Sequence, residues 1–124
     1  MNETKKKIMI IDDDSHIVEA ITLMVEDAGY DVISTTGGKI IALVHKQKPD
    51  LVLLDIWMSG VDGRDICRWL KKDKETKNIA IIIVSANKDT KKIATEAGAD
   101  DFIEKPFQMQ NLLAKIATYV GPAE

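Results

Sequence analysis

The sequence predicts an α/β fold, a doubly wound, parallel five-stranded sheet with helices on both faces. Three observations carry this. Short continuous apolar runs recur along the chain, and segments with helical apolar spacing separate them in regular alternation. Continuous apolar runs suit strands buried on both faces, as the strands of a parallel sheet are. Five β-α repeats imply right-handed crossovers that cover both faces. The third observation is size: 124 residues, 45% of them hydrophobic, suit one domain with its own core. With no internal repeat and no Pro- or Gly-rich linker, residues 1–124 read as a single domain with its core at about 6–120.

The first strand is Ile8–Ile11, stopped by Asp12, Asp13 and Asp14. Asp14 or Ser15 is a fitting N-cap for the first helix. Its expected apolar stripe is Ile17, Ile21, Met24 and Ala28, and Gly29 stands where a terminating glycine belongs. Val32-Ile33 form the second strand, which ends in Ser34-Thr35-Thr36. A helix over 38–47 carries Ile40, Ile41, Leu43 and Val44. Leu51–Leu54 form the third strand, followed by Asp55. The helix over 64–72 carries Ile66, Cys67 and Leu70. Ile79–Val84 form the fourth strand, followed by Ser85. The helix over 88–97 is polar apart from Ile93, Ala94 and Ala97, and Gly98 follows it. Phe102-Ile103 form a short fifth strand, followed by Lys105-Pro106. The helix over 108–120 has a clean stripe of Met109, Leu112, Leu113, Ile116, Ala117 and Val120.

Composition narrows the function classes. A net charge of −3 argues against a nucleic-acid surface, which shows a clustered basic excess. Lys71, Lys72, Lys74 and Lys77 are interrupted by Asp73 and Glu75 and read as a solvated loop. Cys67 is the one cysteine, so no intrachain disulfide forms, which fits a reducing, cytoplasmic compartment. It reads as a small buried apolar group. Lys5–Lys7 precede an apolar run far shorter than the about 7–15 residues of a signal peptide core or the about 20 of a membrane helix. Gly37-Gly38-Lys39 lacks the first glycine and the Ser/Thr of a phosphate-binding loop. His16 reads as surface, and His45 suits the negative end of a helix dipole.

A doubly wound sheet binds ligands beyond the carboxyl ends of its strands. There the sequence gathers Asp12, Asp13, Asp14, Asp55, Ser85 and Lys105. Crowded carboxylates raise one another's pKa, and a hard divalent cation relieves the repulsion. Mg²⁺ takes one or two carboxylates together with phosphate and water. A remaining carboxylate can attack phosphorus and form an aspartyl-phosphate. Phosphoryl transfer is then positioning and neutralisation of the equatorial oxygens. The cation, Lys105 and the Ser85 hydroxyl can each serve one oxygen.

The segments IMIIDDD, LVLLDIWMSGVDG, IIIVSA and GADDFIEKPF resemble the receiver domain of two-component response regulators, the CheY-like family. Asp13, Asp55, Ser85 and Lys105 follow one another at intervals of 42, 30 and 20 residues, and the likeness spans essentially the whole chain. It implies a flavodoxin-like (βα)5 fold with strand order 2-1-3-4-5. It also implies a phosphorelay function in which a histidine kinase or histidine phosphotransfer protein passes a phosphoryl group to Asp55. The implied Mg²⁺ (or Mn²⁺) ligands are Asp12, largely through water, Asp13, Asp55 and the Trp57 backbone carbonyl. Lys105 matches the phosphate-binding lysine, and the bond to Pro106 is usually cis in the family. Ser85 and Phe102 match the switch pair. Trp57 and Asn87 match positions that tune hydrolysis, and a bulky Trp57 is expected to shield the phosphoryl group from water. Ser59 stands where the family often has Pro, and Asp14 is left to cap the first helix.

The resemblance further implies that phosphorylation alters the surface of the fourth helix, fifth strand and fifth helix, for an output partner that no motif names. The expected chain is a signalling domain that assists its own phosphorylation and dephosphorylation, not an enzyme. It touches no nucleic acid directly and no membrane, and is a monomer or a phosphorylation-linked dimer. Two alternatives remain. One is a haloacid dehalogenase-type phosphatase, whose first motif Asp12-x-Asp14 resembles. That family needs a later acidic motif, yet Glu124 is the only acid after Lys105, and His16 replaces the expected Thr or Val. The other is a receiver-like interaction module that is never phosphorylated.

Overall fold

The computed structural model describes residues 5–35, 39–58 and 60–122. Its elements are β1 (Lys7–Ile11), α1 (Ser15–Asp27), β2 (Asp31–Thr35), α2 (Ile40–Gln47), β3 (Leu51–Leu54), β4 (Trp57–Met58), β5 (Val61–Asp62), α3 (Gly63–Lys72), β6 (Ala80–Ser85), α4 (Thr90–Ala97), β7 (Asp101–Glu104) and α5 (Met109–Val120). Five strands form one sheet in the order β2-β1-β3-β6-β7, and every neighbouring pair is parallel. With β6 and β7 as the fourth and fifth core strands, this is the expected 2-1-3-4-5 order. The readings on Thr36, Gly37, Gly38 and Ser59 lie outside the described residues.

Strand side chains alternate between the two faces, so each apolar run feeds two cores. Met9, Ile11, Val52, Leu54, Ile81 and Ile83 meet α2, α3 and α4 on one face. Ile8, Ile10, Leu51, Leu53, Ile82 and Val84 meet α1 and α5 on the other. Full burial of such side chains stabilises by roughly 1.5–3 kcal/mol each. Cys67 is buried in the first of these cores, and burial pushes its thiol pKa up to about 11.

Three details depart from the sequence reading. Residues 57–62 make a small antiparallel hairpin, with Trp57 paired to Asp62 and Met58 to Val61. Strands of two residues leave no periodic signal to read. In α1 the buried stripe is Val18, Ile21 and Val25, while Met24 is 40% exposed. Both stripes have helical spacing. They differ by a small rotation, and contact with the sheet, not spacing, selects between them. Lys71 is not a solvated loop residue. Its Nζ donates to the carbonyls of Ile79 (2.8 Å) and Lys77 (3.2 Å) and lies 2.6 Å from Asp100 Oδ2. It ties the end of α3 to the entry of β6, while Lys72, Lys74 and Lys77 are exposed.

Candidate functional site

The site is built at the carboxyl ends of β1, β3, β6 and β7. The parallel ladder continues one residue beyond the strands: Asp12 N–H donates to Thr35 O at 3.3 Å, and Asp55 N–H to Ile11 O at 2.9 Å. The first bond ties the residue after β1 to the end of β2, and the second brings the residue after β3 beside the end of β1, next to Asp12. Asp12 and Asp55 are 3% and 8% exposed, while Asp13 is exposed. Carboxylate oxygens of Asp12, Asp13 and Asp55 all lie within 4.8 Å of one another.

Asp14 is used elsewhere. Its Oδ1 accepts from the N–H groups of His16 (3.0 Å) and Ile17 (3.4 Å) and caps α1. Its own N–H donates to Asp12 Oδ1 at 2.9 Å, which helps fix the Asp12 carboxylate.

Lys105 reaches the acids from the end of β7, where its N–H donates to Ser85 O at 2.8 Å. Its Nζ donates to Asp12 Oδ2 at 2.9 Å and lies 3.8 Å from Asp55 Oδ1. The following Lys105–Pro106 peptide is cis. Ser85 is buried at the end of β6, and its Oγ accepts from Asn87 N–H at 3.1 Å. Asn87 in turn accepts from Asp89 N–H through Oδ1 at 2.7 Å, so its amide shapes the turn into α4.

Burial pushes the Asp55 carboxyl up from 3.8 to about 6, with the Asp12 charge adding to it. Lys105 and the Ile56 N–H, which donates to Oδ1 at 2.9 Å, pull the other way, and Asp13 adds a smaller rise. A desolvated carboxylate near neutral pKa, beside two further acids and one ammonium, is the kind of perturbed group that clusters at functional sites.

The structure therefore joins Asp12, Asp13, Asp55 and Lys105 directly, with Ser85 on the next strand. Phe102 stands apart on β7, half-buried against the α2–α4 core, with Lys115 Nζ 5.7 Å from its ring centroid. The Trp57 indole is 53% exposed at the hairpin.

Sequence reasoning missed three residues here. Gly63 opens α3 with its N–H donating to Ile56 O at 2.7 Å, and a Cβ on it would lie 2.1 Å from Asp55 O. Only glycine lets the helix start press against the backbone of Asp55. The available signal was a glycine at a helical position, where most residues have better propensity. Gly63→Ala is expected to destabilise the fold by about 1–3 kcal/mol through overpacking, read by urea denaturation. Asp62 and Arg64 are the other two. Asp62 Oδ1 accepts from Arg64 N–H at 2.9 Å and caps α3. The Arg64 side chain bonded to it holds the Asp62 carboxyl below its ordinary range. The Arg64 guanidinium lies 4.6 Å from the Trp57 ring centroid.

Comparison with known proteins identifies the family and supports the fold. The family model for the response regulator receiver domain matches residues 8–117. The DNA-binding response regulator MtrA of Mycobacterium tuberculosis is 34% identical over 119 residues, which is 94% of this chain and 51% of MtrA. The phosphate regulon transcriptional regulatory protein PhoB of Pseudomonas aeruginosa is 39% identical over 125 residues, 96% of this chain and 55% of PhoB. The chain thus spans about half the length of these curated relatives. With such relatives, the expectation of no nucleic-acid contact has no support. A receiver domain from the sensor histidine kinase PA1611 of Pseudomonas aeruginosa, solved with magnesium in its active-site cleft, superposes with a TM-score of 0.86. It covers 95% of this chain and 99% of that one at 22% identity, a likeness of fold. Among the described residues no helix is long and apolar enough to cross a membrane. The family match sets the haloacid dehalogenase alternative aside: this chain belongs to the response regulator receiver domain family.

Proposed function

We propose that this chain is a phosphorelay receiver in which Asp55 accepts a phosphoryl group from the phosphohistidine of a histidine kinase or phosphotransfer protein. The observation that carries this is the convergence of the Asp12, Asp13 and Asp55 carboxylates, with Lys105 Nζ 2.9 Å from Asp12 and 3.8 Å from Asp55. Four charged groups at one sheet edge have no structural task that a single cap or ion pair would not fill.

The donor set fits a hard divalent cation, Mg²⁺ or Mn²⁺. The acids are oxygen ligands, crowded and mutually repelling. Asp12, Asp13, Asp55 and the Trp57 backbone carbonyl would hold it, and PA1611 holds magnesium in the corresponding fold. When bound, the cation neutralises charge on the Asp55 carboxylate and on the incoming phosphoryl oxygens.

An Asp55 oxygen then attacks phosphorus in line with the leaving nitrogen. The P–O bond forms as the P–N bond breaks, and the electron pair stays on the imidazole. Lys105 neutralises one phosphoryl oxygen, and the Ser85 hydroxyl donates to another after turning from its present place beside Asn87. Phe102 follows, and the face of α4, β7 and α5 changes for an output partner. The step is a shift between two pre-existing states. The short α4, with only Thr90, Ala94 and Ala97 buried, is lightly anchored and suited to such a shift. The chain acts as one domain, in a cytoplasmic setting that suits its lone buried thiol, and assists its own phosphorylation by the phosphodonor and its own dephosphorylation by water.

The test is phosphoryl incorporation from acetyl phosphate. Wild type with Mg²⁺ is expected to take up one phosphoryl group, and Asp55→Asn or added chelator is expected to abolish uptake. Equal uptake by Asp55→Asn would overturn the reading.

A further inference from the structure

The Trp57 indole is exposed, yet it is not loose. Trp57 and Asp62 are directly opposed across the β4–β5 hairpin, so their side chains leave on one face. Arg64 bridges them. Its Nε donates to Asp62 Oδ1 (3.0 Å) and Oδ2 (3.2 Å), and its Nη2 donates to Oδ2 at 2.7 Å. Such a fork fixes the plane of a guanidinium as well as its position. The fixed guanidinium lies over the indole, 4.6 Å from its centroid. Trp is the aromatic that binds a cation most strongly in this way.

The far end of the stack is anchored to the phosphoacceptor itself. Arg64 follows Gly63, which presses on the Asp55 carbonyl with no room for a Cβ and donates to Ile56 O. Asp55, Trp57, Asp62, Gly63 and Arg64 thus form a short closed circuit at the site's edge. A helix cap needs only the Asp62 carboxylate and the Arg64 N–H. The further Arg64 side-chain bonds to Asp62 and the indole contact are surplus to that task.

We propose that Arg64, held by Asp62, is a positioning residue that pins the Trp57 indole as a water shield beside Asp55, so that the Asp62–Arg64–Trp57 stack sets the lifetime of the aspartyl-phosphate. The proposal rests on Asp55 being the phosphoacceptor and on Trp57 shielding it. Hydrolysis requires a water oxygen to attack phosphorus in line with the Asp55 oxygen. A P–O bond forms to water, and the bond to Asp55 breaks with its electron pair returning to the carboxylate. Water's proton leaves with inorganic phosphate. In this proposal the pinned indole obstructs that line, whereas one free to swing away would obstruct it only part of the time.

The experiment measures dephosphorylation after acetyl phosphate is removed, at fixed Mg²⁺, in wild type, Trp57→Ala, Arg64→Ala, Arg64→Lys and the Trp57→Ala/Arg64→Ala double variant. Loss of a surface cation–π clamp is expected to speed hydrolysis in Arg64→Ala by about two- to fivefold. Arg64→Lys, which keeps the charge without the fork, is expected to lie on the same side. The double variant should be no faster than Trp57→Ala alone, since both changes remove one shield. In a Trp69→Phe background without metal or phosphodonor, acrylamide should quench Trp57 more strongly once Arg64 is replaced. If Trp57→Ala speeds hydrolysis and Arg64→Ala and Arg64→Lys do not, the clamp is wrong while the shield stands. If the two single effects multiply in the double variant, Arg64 acts independently of Trp57 and the proposal fails. If Trp57→Ala changes nothing, the shield falls and the clamp with it. If wild type takes up no phosphoryl group, the underlying reading of Asp55 fails first.

Discussion

Replacing Asp55 with Asn is expected to stabilise the metal-free protein at pH 7, by up to about 3 kcal/mol. The folded chain holds this carboxyl at about 6 against an ordinary 3.8, mainly through burial and then through the Asp12 charge. The folded state therefore binds more protons than the unfolded state between those two values. A raised carboxyl contributes its stability fully below about pH 4 and loses it as pH rises through about 6. Asparagine keeps the shape and an acceptor oxygen for Ile56 N–H but never ionises. The gap between variant and wild type should thus be small at pH 4, widen across pH 4–6 and level off above, as urea denaturation in chelator will show. Added Mg²⁺ should narrow the gap, because it stabilises wild type more than a variant that has lost a carboxylate. A gap independent of pH would remove burial of the Asp55 charge as its cause.

Replacing Lys105 with Met is expected to act in the opposite direction and about as strongly. Lys105 Nζ lies within 4 Å of both Asp12 and Asp55, and the Asp12 and Asp55 side chains are only 5% and 11% exposed. Removing the ammonium leaves those carboxylates facing Asp13 and one another without it. Breaking a buried pair costs about 3–5 kcal/mol, and the partial exposure of this one brings the expected loss to about 2–3 kcal/mol in chelator. Mg²⁺ should recover much of the loss, since it neutralises the same oxygens. In an Asp55→Asn background the cost of Lys105→Met should shrink, because one of the stranded charges is gone. Phosphoryl uptake from acetyl phosphate should also fall, by about tenfold or more, since one fixed positive charge on the equatorial oxygens is lost. A Lys105→Met variant as stable in chelator as wild type would show that Lys105 does not compensate the acids.

Much of this was legible in the sequence because burial on both faces of a parallel sheet writes itself as unbroken apolar runs. Leu51–Leu54 and Ile79–Val84 needed nothing more than their length and branching. The acids at the ends of β1 and β3 were visible for a related reason: charge directly after a buried strand has few structural uses. The order of the strands was not legible in that way and came from likeness to a known family. Contacts decided by three-dimensional fit were hidden. Val18 and Val25 displaced Ile17 and Met24 from the buried face of α1 because the sheet selects among equivalent helical stripes. Lys71 looked solvated until the fold laid three oxygens around its ammonium. The hairpin of β4 and β5 was invisible because two-residue strands carry no period. Gly63 and Arg64 gained their meaning only when α3 was seen pressed against Asp55.

The most direct measurement is chemical trapping of the phosphoryl group. Protein treated with acetyl phosphate and Mg²⁺ would be reduced with borohydride, which converts an aspartyl-phosphate to homoserine, then digested and sequenced by mass spectrometry. Homoserine at position 55, dependent on both Mg²⁺ and phosphodonor and absent from Asp55→Asn, is the expected result. An unmodified Asp55, or trapped product at Asp12 or Asp13 instead, would contradict the assignment of Asp55 as the phosphoacceptor.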